Sequence, residues 1–81
     1  MSYIPLSTLA RGVPARIEHM HVAESVRQSL MSIGVVEGLD IRVLHEGPFG
    51  RDPIAIEIEG HMVAIRRADA AHIMVATAER L

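Results

Sequence analysis

A chain of 81 residues with a formal charge of −2 is long enough for one compact domain and too short for two. It has no cysteine, which excludes disulfides, thiolate catalysis and cysteine-based metal centres, and its eight basic residues are all arginines, which excludes a lysine-dependent phosphate loop and Schiff-base chemistry. Hydrophobic residues make up 49% of the chain but aromatics only 2%, Tyr3 and Phe49, so the core must be aliphatic and no aromatic platform for proline-rich peptides or single-stranded nucleic acid can be built. With the arginines scattered among ten acids there is no basic field to hold a DNA backbone, and nucleic acid is not expected as a partner.

The opening Met1-Ser2-Tyr3-Ile4-Pro5-Leu6 has neither the charged start nor the apolar run of a secretory signal. No stretch of about 18 apolar residues follows, so the expectation is a cytoplasmic protein that does not itself enter a membrane. After Leu6, Leu9 and Gly12, the run from Val13 to His19 reads as a first strand with Val13, Ala15, Ile17 and His19 on one face. From Val22 to Ile33 the period changes, and Val22, Val26, Leu30 and Ile33 recur as one face of a helix that Gly34 stops. Period two returns with Ile41 and Val43, followed by turn chemistry from Gly47 to Pro53. Ile54, Ile56 and Ile58 then alternate with Ala55, Glu57 and Glu59, the pattern of a sheet with one wet face. Gly60 reverses the chain into a strand over residues 62–66, Asp69 is placed to cap a helical turn over Ala70, Ala71 and His72, and residues 73–77 form the last strand. Five strands and one helix after the first strand predict a single mainly β domain over residues 1–81, a small partly open barrel whose closure protects its edges.

Four elements stand in a familiar order: Leu6-Ser7-Thr8-Leu9-x-x-Gly12; Leu30-x-x-x-Gly34-x-x-x-Gly38; Pro48-x-Gly50-x-Asp52-Pro53-Ile54; and Ala64-Ile65-Arg66 followed by Ala70-x-x-Ile73-x-Val75. Over residues 6–76 the chain resembles the FeoA family, partners of the ferrous-iron transporter FeoB. The resemblance implies an SH3-like five-stranded barrel with a helix after strand 1. It also implies a non-enzymatic accessory role in bacterial ferrous iron uptake without a cofactor, through contact with the cytoplasmic GTPase domain of FeoB. Glu37, Arg51 and Ile65 depart from the family pattern; the first and third look neutral for the fold, whereas Arg51 alters the tip of a loop. The alternative is a divalent-metal-binding regulatory module related to the C-terminal SH3-like domain of DtxR-type repressors.

The residues offered to a partner are Met31, Phe49, Arg51 and Arg66. Phe49 and Arg51 share a Gly/Pro loop, where an aromatic beside an arginine suits a protein interface, the plainer alternative being that Phe49 plugs one end of the barrel. Met31 lies on the helix face opposite Val22 and Val26, and of Arg66 and Arg67 one is expected to pair with an acid and the other to serve a partner. His19 and His21, with Glu24, are the candidate metal ligands of the alternative reading, although zinc sites normally take three or four protein ligands with outer support. Glu57 and Glu59 read as a solvated face rather than an acid-base pair, and no serine or histidine stands in a recognisable catalytic arrangement. Weak self-association is compatible with exposed strand edges.

Overall fold

The computed structural model describes residues 2–78, the side chain of Phe49 excepted. Six strands form one sheet: β1 (Ser2–Pro5), β2 (Ala15–Met20), β3 (Asp40–Phe49), β4 (Asp52–Ile58), β5 (His61–Ile65) and β6 (Ile73–Thr77). Their spatial order is β1-β6-β2-β3-β4-β5, and every neighbouring pair is antiparallel. A 3-10 turn over Leu6–Thr8 follows β1, helix α1 (Glu24–Ser32) follows β2, and a single turn, α2 (Arg67–Ala70), precedes β6. The mainly β class with one short helix is as expected. The strand count differs by one, because β1 pairs with β6 as an additional edge, and the sheet is left open between β1 and β5. The helix therefore follows the second strand.

The core is aliphatic throughout. Leu6, Ile17, Val35, Ile54, Ile56, Ile58, Ile73 and Val75 are fully buried, and the inward residues of β4 are those that the alternation of isoleucines marks out. Ala55, on the other face of β4, is buried too, so this face is less wet than the sequence suggests. Glu59 leaves the strand altogether: with φ of 51° it forms a two-residue turn with Gly60, whose φ is 81°, joining Ile58 to His61. Positive φ at both turn residues is the mirror-image geometry that matches the twist of the strands it connects.

The face expected for β2 breaks at its end. The register with β6 shifts between Ile17 and His19, so the alternation slips by one residue: Met20 is buried and His19 is exposed. Val13 lies outside the strand, exposed. In α1 Leu30 is buried and Val26 packs against the core from its margin, as does Val22 just before the helix. Ile33, expected on the same face, is the helix cap and is exposed, because the regular 3.6-residue period ends at Ser32. The stop is made as Gly34 predicts. With φ of 96°, Gly34 donates to the Met31 carbonyl while Val35 donates to that of Leu30, and Leu30 and Val35 are buried together beneath the end of the helix.

Strand β3 runs on through the segment read as a turn. Pro48 is accommodated because β2 pairs with β3 only at Asp40 and Ile41, and the outer part of β3 forms an arm with β4 whose register shifts twice. Gly47 allows this arm to close: a Cβ there would collide with the Asp52 carbonyl. At the tip, Gly50 (φ 66°) and Arg51 (φ 60°) form a second two-residue turn between Phe49 and Asp52.

Candidate functional site: an arginine-lined cleft

A cleft of about 650 Å³ is lined by Ser7, Thr8, Leu9, Ala10 and Arg11, from the 3-10 turn and the loop after it, and by Glu46 and Arg51 of the β3–β4 hairpin and Arg67 of α2. Arg67 holds these walls together. Its Nη1 donates to the Ser7 carbonyl at 2.8 Å, its Nε to the Arg51 carbonyl at 3.1 Å, and its Nη2 to the Glu46 carboxylate. Its backbone N–H, which a helix cannot satisfy in its first turn, donates to Asp52 Oδ1 at 2.8 Å. Asp52 thus caps α2 from the hairpin. The role expected of Asp69 is different in the structure: α2 begins at Arg67, and Asp69 inside it accepts from the Arg66 guanidinium at 3.3 Å.

The cations of the cleft differ in how far they are neutralised. Glu46 serves both Arg67 and, at 4.0 Å, Arg51, whose side chain is 74% exposed. Arg11 has no hydrogen-bond or ion-pair partner among the described residues. Three guanidinium groups therefore face one lining carboxylate.

The residues proposed from sequence fall in three places. Arg51 lines the cleft. Arg66 lies instead beside α1, in a shallow hollow shared with Ser25, Val26, Ser29, Leu30 and Asp69. Met31 is exposed at the end of α1. The side chain of Phe49 lies outside the described residues. Sequence reasoning selected neither Arg11 nor Arg67: Arg11 stands in a loop with no motif beside it, and nothing in an Arg-Arg pair shows which one the turn after β5 sends towards the hairpin. Glu37, expected to be neutral, instead secures the end of β2. Its carboxylate accepts from the Met20 amide at 3.0 Å and lies 3.7 Å from Arg27, whose guanidinium donates to the Met20 carbonyl.

The rings of His19 and His21 are 5.7 Å apart by centroid. Glu24 accepts a hydrogen bond from Gln28, and among the described residues no group of three histidines or acids is assembled to hold a metal ion. Among those residues, too, no helix is long and apolar enough to cross a membrane.

The model of the FeoA domain matches residues 4–77. The chain belongs to the FeoA family. Its fold superposes on a crystal structure of the iron uptake regulatory protein FeoA with a TM-score of 0.81 at 29% identity, covering 96% of this chain and 100% of that one. FeoA from Chlorobium tepidum is 33% identical with a TM-score of 0.84, over 94% of this chain and 71% of that one. Stenotrophomonas maltophilia FeoA, a prokaryotic SH3 domain protein complexed with zinc, is 24% identical with a TM-score of 0.67, over 88% and 87% of the two chains, and shares the SH3-like fold. IdeR of T. acidophilum shares the fold alone, at 20% identity and a TM-score of 0.80, over 96% of this chain and 35% of that one. No curated protein matches the chain.

Proposed function

We propose that this FeoA-family chain is a non-enzymatic cytoplasmic accessory of ferrous iron transport that docks on the cytoplasmic part of FeoB and modulates its GTPase. The observation that carries the reading is the family match over residues 4–77, nearly the whole domain. The geometry supports a docking role: the cleft stands open beside the arm, and its central arginine is committed to holding the walls, leaving the outer arginines for a partner. A small protein of this kind acts by changing what its partner does. The likeness to repressor domains concerns the fold and supports a regulatory metal site less well, since His19 and His21 are not joined by a third ligand among the described residues.

A pull-down of the purified protein with the cytoplasmic part of FeoB tests contact, and iron uptake after deletion of the gene tests the role. Retention of the partner and slower uptake are the expected results. No retention together with unchanged uptake would sink the proposal.

A further inference from the structure

We infer that the cleft receives a carboxylate-rich segment of the partner protein, with Arg11 and Arg51 as the residues that grip it. The inference rests on the docking role proposed above and specifies the chemistry of what docks.

Arg67 is already committed within the protein, three of its five N–H donors being engaged with Ser7, Arg51 and Glu46. It builds the floor on which the other two stand. Arg51 shares Glu46 with Arg67 and keeps its side chain 74% exposed, and Arg11 has no partner among the described residues. Among the described residues the hydroxyl of Ser7 has no partner either, while that of Thr8 donates to the Pro5 carbonyl at 2.9 Å. A guanidinium offers parallel donors in a planar fork that matches a carboxylate. Arg11 belongs to the loop after the 3-10 turn and Arg51 to the hairpin tip, so two separate segments of the chain bring cations to a cleft of about 650 Å³. Successive carboxylates along an extended chain meet this arrangement better than one compact anion held at a single point.

The electrostatic setting favours the same occupant. The chain as a whole carries −2, so its net charge does not draw in an acidic segment, which is attracted locally where arginines outnumber acids. Arg51 also occupies a left-handed backbone conformation, φ 60°, that glycine would adopt without strain.

The test uses the whole chain labelled with ¹⁵N and titrated with hexaglutamate, with hexalysine and inorganic phosphate as comparison probes. Hexaglutamate is expected to shift amides at residues 7–11 and 50–51, with the response lost in the R11Q/R51Q double variant and weakened by salt. Shifts elsewhere, shifts unchanged in the double variant, or an equal response to phosphate would overturn the inference. Binding of the FeoB cytoplasmic part is then compared for the parent and the double variant, and a loss of about tenfold or more is expected for two interfacial charges. If FeoB binds both equally, the cleft inference fails and docking stands. If the parent does not bind FeoB while hexaglutamate still seats in the cleft, the FeoB reading fails and the cleft inference stands.

Discussion

Arg66 and Arg67 are chemically identical neighbours that the fold uses very differently, and replacing each by methionine measures the difference. Methionine keeps an unbranched apolar stem and removes the guanidinium. At Arg67 the change deletes donors to the Ser7 and Arg51 carbonyls and to Glu46, from a side chain that is only 24% exposed. An ordinary hydrogen bond contributes about 0.5–1.5 kcal/mol net, and one to a charged group about 1.5–3 kcal/mol. Because the carbonyls left behind lie beside an open cleft and water can reach them, the lower end applies, giving a loss of about 2 kcal/mol for Arg67→Met. Arg66 is 76% exposed and makes one ion pair with Asp69, so Arg66→Met should cost less than about 0.5 kcal/mol. For a domain of this length about 1 kcal/mol corresponds to roughly 4–8 °C in melting temperature. Thermal and urea unfolding followed by far-ultraviolet circular dichroism should therefore separate the two variants by roughly 6–12 °C, using that scale. Equal stability of the two variants, or a loss at Arg67 below about 0.5 kcal/mol, would refute the role of Arg67 as the tie between the walls.

Gly47→Ala should damage the arm, since the new methyl meets the Asp52 carbonyl, and the free energy of unfolding should fall by at least about 3 kcal/mol, beyond the usual cost of overpacking. A loss under about 1 kcal/mol in urea titration would show that the two strands part easily. Arg51→Gly should leave stability unchanged or raise it by up to about 1 kcal/mol, because it relieves the positive φ, even as hexaglutamate binding weakens; a large destabilisation contradicts this. Glu37→Ala removes the acceptor of the Met20 amide and should cost about 1–2 kcal/mol, read from chemical denaturation, with no loss expected only if the end of β2 is held by other contacts. Calorimetric titration with zinc should give no saturating heat at micromolar concentration, two exposed imidazoles being a weak chelate; tight binding abolished in a His19→Ala and His21→Ala double variant would revive the metal reading.

The parts of the fold that the sequence discloses are those with local causes. The isoleucine alternation of β4 and the stop at Gly34 depend on neighbours a few residues away, and both stand as read. β1 could not be seen in this way: Ser2–Pro5 is four residues without a period, and its ladder runs from Ser2 to Thr77, at the far end of the domain. The slip in β2 was hidden for a similar reason, because a bulge is decided by the partner strand and not by the alternating string itself. At the cleft, Arg51 could be singled out from turn chemistry, whereas Arg67 acquires its position from a helix that Asp52 caps from fifteen residues away. Distant capping leaves no signature beside the residue it serves.

The position of β6 between β1 and β2 has a consequence for biosynthesis. The last strand of the domain to leave the ribosome is an interior member of the sheet, and until it arrives β1 has no ladder and β2 only the short one to β3. Early contacts can gather β3, β4 and β5, which follow one another in sequence and in space. β1, and the part of β2 beyond Arg16, must wait. Nascent chains halted before residue 73 should therefore expose an unpaired β1 and the inward face of β2, which places the moment of greatest danger from aggregation, and of greatest use for a chaperone, at the very end of translation of this domain.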